Sequence, residues 1–266
     1  MWGRVEKWIQ SNERILLILA GVVLLRIPTL FEPYWYGDEG IYLTIGQAIN
    51  KGVRLYSQIH DNKPPFLYLL AALAGGSLFW FRFIAAAWNV ATVAIFAKLY
   101  RTIFGEKHKL ELGAVVIFAL LTNLPTLEGN IANAELFFLL PTLAAVYVLW
   151  GEPEVKRVFL GGLLIGLGGL FKIPALLEVG VWPVFWLTQG RNWLPKSVVL
   201  GLGAMLPLAL SFGYYGAGET RSAYMSAIVG QNISYLSTWK ESGAGGGIFN
   251  LKGRVAVAVV MVGVIV

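Results

Sequence analysis

The chain has no cysteine and little charge. Among its 266 residues, only 14% are Asp, Glu, Lys or Arg, whereas soluble domains carry about 25% charged residues. The absence of cysteine excludes disulfide bonds and thiolate sites. No polar stretch is long enough to form a soluble domain. Together with 57% hydrophobic residues and a mean hydropathy of +0.66, these features predict an all-α, polytopic membrane protein.

The net charge of +6 fits membrane topology better than nucleic-acid binding, because the basic residues of membrane proteins collect on cytoplasmic loops. The most basic connection, at 98–109, contains Lys98, Arg101, Lys107 and Lys109. We therefore expect this connection in the cytoplasm. The pattern predicts a multi-pass protein of the inner or plasma membrane that binds the lipid bilayer and no nucleic acid.

Apolar segments divide the chain into predicted membrane spans and loops. A polar helix at 1–14 is expected at the membrane interface, followed by a first span at 15–31. The further predicted spans are 79–103, 112–125, 136–150, a hairpin at 158–187, and 198–214. A second external loop is predicted at 216–253, and an apolar run follows it to the last residue. We therefore expect the single domain 1–266 to lack further C-terminal helices.

The first external loop, 32–78, is the longest stretch before the middle of the chain without a membrane-length apolar segment. Isoleucines at helical spacing predict an amphipathic helix at 39–50 on the membrane surface. Two prolines open a second apolar helix at 66–74. Since a span needs ~20 residues, this helix is predicted to be juxtamembrane or re-entrant. The alternative is that it crosses the membrane together with 78–80.

The pair Asp38 and Glu39, at the start of the surface helix, is the first candidate for catalysis. A carboxylate beside the external membrane surface can act as a general base toward an acceptor hydroxyl. The alternative is that Asp38 only caps the helix, as Asp often does. Titratable groups beside a bilayer are costly unless they serve a site, so we interpret this loop as the chemical centre.

The segment before the two prolines carries His60, Asp61 and Lys63. Lys63 can hold a phosphate as a point charge, and the alternative is a lysine exposed to solvent. His60 and Asp61 can ligate a divalent metal ion, although two adjacent donors form a weak pattern. A divalent metal ion is therefore the one cofactor that the sequence suggests.

Two further charges interrupt apolar helices. Glu135 opens one of them, where a carboxylate can also act by stabilising the helix dipole. Lys172 lies at the predicted hairpin turn among apolar residues, and such a lysine normally needs an anionic partner. Arg82 and Arg26 are candidates for phosphate ligands or interfacial anchors, and we favour an anchor for Arg26. If the short helix does not cross, the loops bring these charges to one external face: Asp38, Glu39, Lys63, Glu135 and Lys172.

The order of these residues resembles the ArnT-like and protein O-mannosyltransferase-like branch of the GT-C glycosyltransferases, over roughly residues 10 to 215. The resemblance is carried by Asp38-Glu39 after the first span, Asp61-Asn62-Lys63-Pro64-Pro65 before a short helix, Arg82 opening the next helix, KLYRTIFG closing it, Glu135, and Lys172 shortly before a proline. The chain departs from metal-binding relatives at Asn62, where they carry an acid directly before the lysine.

The resemblance implies a GT-C type helical bundle whose extracytoplasmic first loop carries juxtamembrane helices. It implies an enzyme that transfers a sugar from a polyprenyl-phosphate carrier to a lipid, glycan or protein acceptor outside the cytoplasm. The implied catalytic acids are Asp38 as the base, Glu39 as its support, and Glu135. The implied ligands of the donor phosphate are Lys63, Lys172 and Arg82.

Two other functions are compatible with the pattern. A polytopic transporter or lipid flippase would use Asp38, Glu135 and Lys172 as an ion or substrate pathway. Such proteins typically show broken helices, mid-membrane charges and two similar halves, whereas this sequence shows no duplication. A non-catalytic membrane scaffold would leave the acidic pair and Lys172 unexplained.

Overall fold

The all-α prediction is confirmed. The computed structural model describes residues 2–106 and 108–231, and within them the only strand-like pairing is an isolated bridge between Leu55 and Ile59. The α-helices are α1 (Trp2–Arg26), α2 (Gly37–Asn50), α3 (Phe66–Leu73), α4 (Leu78–Phe104), α5 (Glu111–Leu121), α6 (Ala134–Leu149), α7 (Val155–Gly169), α8 (Glu178–Thr188), α9 (Trp193–Tyr215) and α10 (Arg221–Met225). Short 3-10 turns precede α2, α6, α8 and α10.

Helix α1 differs from the prediction of an interfacial helix followed by a separate span. It runs without interruption from Trp2 to Arg26, because no proline or glycine separates its polar first half from its apolar second half. The following Pro28 opens a 3-10 turn. The interfacial role predicted for Arg26 stays a prediction, but the side chain does not extend outward. The side chain of Arg26 is buried, and its Nη2 donates to the carbonyl of Thr122 at 3.0 Å.

The two helices predicted in the first external loop are both present. Helix α2 begins two residues before the predicted 39–50 and ends where predicted. Helix α3 has 8 residues, so it is about 12 Å long and too short to cross a bilayer core of about 30 Å. The two helices pack closely, because a Cβ atom on Gly46 would lie 2.6 Å from the backbone carbon of Ala71.

The remaining long helices pack together and position the first loop with α2 and α3. Helix α7 packs against α9 through glycine: a Cβ atom on Gly162 would lie 2.1 Å from the carbonyl oxygen of Leu200. Small residues of this kind let helix backbones approach each other. An aromatic stack joins α4, α6 and the end of α7, since the rings of Phe81 and Phe171 each lie 5.7 Å from that of Phe137.

Among the described helices, α4 and α9 are long and apolar enough to cross a membrane. The hairpin predicted at 158–187 is present as α7 and α8, joined by a turn that contains Lys172. The predicted second external loop, 216–253, is described only as far as 231. The helix predicted from 255 onwards lies outside the described residues.

Candidate active site

Asp38 is not the cap of helix α2. It is the second residue of the helix, and the capping position belongs to Tyr36, whose side chain makes no capping hydrogen bond. Its Oδ2 atom accepts hydrogen bonds from the hydroxyl of Tyr42 at 2.9 Å and from Nζ of Lys63 at 3.0 Å. Within the described residues no donor reaches the other oxygen, Oδ1. The side chain is 35% exposed, so Oδ1 is available to a substrate hydroxyl.

Lys63 is held in place by tyrosines and is not a freely solvated lysine. Its backbone carbonyl accepts from the hydroxyl of Tyr56 at 2.9 Å, and its backbone N–H donates to the hydroxyl of Tyr68 at 3.2 Å. Tyr68 in turn donates to Oδ2 of Asp61 at 3.1 Å. The Lys63 side chain is only 16% exposed. Its ammonium group is thereby directed at Asp38.

His60 and Asp61 were predicted to bind a metal ion, but among the described residues no third ligand lies beside them. His60 is exposed, and Oδ2 of Asp61 accepts from Tyr68 and lies 3.9 Å from Nζ of Lys63. Nowhere in 2–106 or 108–231 do three or more His, Asp or Glu side chains group closely enough to hold a metal ion. Within the part of the chain that the structure describes, His60 and Asp61 are therefore not part of a metal site of three or more such ligands.

Glu135 and Lys172 form an ion pair. Glu135 is the second residue of α6, which Asn133 caps by accepting from the N–H of Ala134 at 2.7 Å. The expectation that Lys172 has an anionic partner is confirmed. Its apolar sequence neighbours suggested a buried side chain, but the hairpin turn leaves Lys172 34% and Glu135 50% exposed. Both groups are therefore open to a ligand.

The two ion pairs face a common region. The backbone N–H of Phe66, three residues after Lys63, donates to the carbonyl of Leu170 at 3.2 Å, which ties the first loop to the hairpin turn. Burial raises the pKa of the Tyr42 hydroxyl, and the negative charges of Asp38 and Glu135 both raise it further. We call these four side chains the charged cluster: Asp38, Lys63, Glu135 and Lys172.

Tyr36 and Glu128 extend this region and were not predicted as site residues. The Tyr36 hydroxyl donates to Oε2 of Glu128 at 3.1 Å, and Asn133 donates to the same oxygen at 2.8 Å. Glu128 has a φ of 58°, in the left-handed region that non-glycine residues rarely adopt. Burial raises the pKa of Tyr36, with added effects from the charges of Asp38 and Glu128. No sequence pattern indicates this pairing.

Glu39 and Arg82 form a buried ion pair instead of contacting the open site. Their side chains are 0% and 1% exposed, and Nη2 of Arg82 lies 2.6 Å from Oε2 of Glu39. Arg82 also donates to the carbonyls of Thr29 at 2.8 Å and Glu32 at 2.7 Å. Its guanidinium is thus occupied by the protein and closed to a phosphate, which corrects its predicted role. Glu39 supports Asp38 only through the placement of α2.

A groove with apolar walls and a volume of about 470 Å³ lies among helices α3, α4, α6 and α7. We call it the apolar groove. Its lining residues are Phe66, Leu69, Leu70, Leu73, Trp88, Leu140, Pro141, Ala144, Leu164, Leu167 and Phe171. Phe66 and Phe171 pack with ring centroids 5.5 Å apart. Since Lys63 precedes Phe66 by three residues and Lys172 follows Phe171 directly, both lysines stand near this end of the groove.

Comparison with known proteins adds no identification, because no family model, no curated protein and no solved structure matches the chain. The function is therefore inferred from the chemistry of the charged cluster and the apolar groove.

Proposed function

We propose that the chain belongs to a membrane glycosyltransferase with a GT-C type bundle, which moves a sugar from a polyprenyl-phosphate carrier to an acceptor at the extracytoplasmic face of the inner membrane. One observation carries this proposal: two residues of the groove wall, Phe66 and Phe171, stand three residues after Lys63 and directly before Lys172. A lipid-linked phosphate needs an apolar channel for its chain and cations for its headgroup, and this arrangement supplies both.

The apolar helices and the charge distribution support the membrane placement. Helices α4 and α9 are long enough to cross, and the short α3 lies on the external side beside α2. The basic connection at 98–109 stays in the cytoplasm. With this topology the charged cluster is at the external membrane surface, where polyprenyl-linked sugars are presented.

The lysines bind the donor phosphate by exchanging their present partners for it. Each lysine is now paired with a carboxylate, Asp38 or Glu135. When the phosphate binds, its oxygens accept hydrogen bonds from the two ammonium groups. Asp38 is thereby released from Lys63 while Tyr42 still donates to it. The carboxylate stays oriented and becomes a stronger base.

The transfer is a direct displacement at the anomeric carbon. Asp38 accepts the proton of the acceptor hydroxyl, and that oxygen attacks the anomeric carbon on the face opposite the phosphate. A carbon–oxygen bond forms to the acceptor while the bond to the phosphate oxygen breaks. Polyprenyl phosphate leaves with one additional negative charge, which Lys63 and Lys172 stabilise. The sugar is transferred with inversion.

The test is transfer of a labelled sugar from a polyprenyl-phosphate pool in membranes that contain the chain. Asp38→Asn should lower transfer by about a hundredfold or more, since positioned bases contribute about 10²–10⁴. Lys172→Ala should lower it through weaker donor binding. Glu154→Gln, which neutralises an exposed acid before α7, serves as the control and should leave it unchanged. Full transfer by Asp38→Asn at equal expression contradicts the assigned base.

A further inference from the structure

A second cavity lies on the exposed face of helix α2, with a volume of about 450 Å³. We call it the aromatic cleft. Its lining residues are Tyr34, Trp35, Tyr36, Gly37, Gly40, Leu43, Thr44 and Gln47. The mechanism above uses none of these residues, and Tyr36 connects the cleft to the charged cluster through Glu128. The cleft therefore needs an explanation of its own.

We propose that the aromatic cleft binds a sugar ring of the acceptor, so that the acceptor is a glycan or carries one. This assignment rests on the proposed glycosyltransferase function. Tyr34 and Trp35 are 57% and 53% exposed beside the cleft, and their faces can cover the C–H face of a pyranose. Thr44 supplies a hydroxyl for the sugar, and Gln47 supplies its amide oxygen while its Nε2 donates to the carbonyl of Gly76 at 3.0 Å. Aromatic walls with a few polar groups are typical of small-molecule sites.

The floor of the cleft is formed by the glycines of α2, which leave room for a flat ligand. Gly40 lies within α2, where alanine would be more favourable by about 1 kcal/mol, and Gly37 is the first residue of the helix. No atom lies within 4 Å of a Cβ placed on either residue, so packing does not require glycine there. Gly46 differs, since α3 leaves no room for its Cβ. The first two glycines keep the floor open for close approach of a ligand.

The position of the cleft assigns it to the acceptor and not to the donor. The apolar groove is lined by α3, α4, α6 and α7, and no residue of α2 lines it. The cleft is lined by 34–47, without α3. At about 100° per residue, Gly40 and Gln47 lie on the side of α2 roughly opposite Asp38. A sugar ring in the cleft is therefore a ring of the acceptor that does not itself react. The acceptor continues toward Asp38 past Tyr36, which lines the cleft and donates to Glu128.

The experiment measures binding of fluorescently labelled gluco-, manno- and N-acetylglucosamine oligosaccharides to the purified chain in detergent, without donor. Wild type should bind at least one of them. Gly40→Leu, which fills the cleft, and Trp35→Ala, which removes a wall, should each weaken binding by about tenfold or more, as for truncation of a central aromatic contact.

Two controls match these substitutions. Gly113→Leu adds the same side chain at a helical glycine that also has open space, and Trp80→Ala removes a Trp that is 55% exposed outside the cleft. Both should bind like wild type, and all four variants should keep the wild-type midpoint of thermal unfolding. Gly40→Ala, with a smaller side chain, should weaken binding less than Gly40→Leu.

The proposal is overturned if wild type binds no oligosaccharide, or if Gly40→Leu and wild type bind equally. If Trp35 is a membrane anchor, its removal changes membrane retention while sugar binding persists, which also overturns it. Because binding is measured without donor, the two proposals fail separately. If wild type binds sugar in the cleft but transfers none, only the proposed transferase function is refuted. If Gly40→Leu transfers sugar at the wild-type rate, only the proposed role of the cleft is refuted.

Discussion

Nζ of Lys63 lies 3.0 Å from Oδ2 of Asp38, although 25 residues separate them in the chain. The contact joins the loop before α3 to the first turn of α2. It pairs a cation suited to a phosphate with a carboxylate suited to a hydroxyl. In the absence of a donor each neutralises the other, so binding of a phosphate to Lys63 also frees Asp38. Donor binding and activation of the base are thereby coupled.

The first prediction concerns Lys63→Met. Loss of the ammonium group should raise KM for the polyprenyl-linked donor by roughly tenfold to a hundredfold, because a hydrogen bond to a charged group contributes about 1.5–3 kcal/mol. Lys63→Arg keeps the charge and should recover part of the affinity. The measurement is initial rate of sugar transfer as a function of donor concentration.

Lys51→Met is the matched control, since Lys51 is an exposed lysine of the same external loop. It should leave KM unchanged. If Lys63→Met lowered only the thermal unfolding midpoint and left KM at the wild-type value, Lys63 would have a structural role and no part in donor binding.

The second prediction concerns topology. The chain has no cysteine, so single cysteines can be introduced without removing others. Ser57→Cys and Thr126→Cys should react with a membrane-impermeant maleimide in intact cells. Lys109→Cys and Glu154→Cys should react only after permeabilisation. All four positions are exposed in the structure. Labelling of Ser57→Cys and Lys109→Cys from the same side would contradict the proposed crossing by α4.

The third prediction concerns the buried pair of Glu39 and Arg82. Glu39→Gln should reduce the free energy of unfolding by about 3–5 kcal/mol, because it leaves a buried guanidinium without its counter-charge. Unfolding in detergent can be followed by intrinsic Trp fluorescence. Glu135→Gln removes an acid from an exposed pair and should cost less than about 1 kcal/mol. Equal losses in the two variants would show that burial of the Glu39 pair does not matter for stability.

The fourth prediction concerns the contact of α7 with α9. Gly162→Ala should lower the free energy of unfolding by about 1–3 kcal/mol, the usual range for overpacking, because the new methyl group meets the carbonyl of Leu200. Gly201→Ala is a suitable control in α9, since its Cβ position is open. It should be neutral or stabilising. A neutral Gly162→Ala would mean that the two helices can separate slightly without loss.

The local features of the chain were readable in the sequence. The spacing of the isoleucines predicted both ends of α2 to within two residues. The two prolines before Phe66 marked the start of α3. The proline after Lys172 marked the turn between α7 and α8. These signals depend on residues close in sequence, because helix periodicity and helix starts are set by neighbouring side chains and backbone groups. The continuity of α1 was missed, since a change from polar to apolar residues does not end a helix.

The partners of the charges were decided by tertiary structure. The sequence marked Asp38, Lys63 and Lys172 as unusual, yet Arg82 looked equally suited to a phosphate. Only the packing of α4 against the first loop buries Arg82 on Glu39, 43 residues away. The contact of Tyr36 with Glu128 likewise spans 92 residues. Hydrogen-bonding atoms of distant residues meet only when helices are placed against each other, so composition and spacing identify reactive groups while packing determines which of them face the substrate.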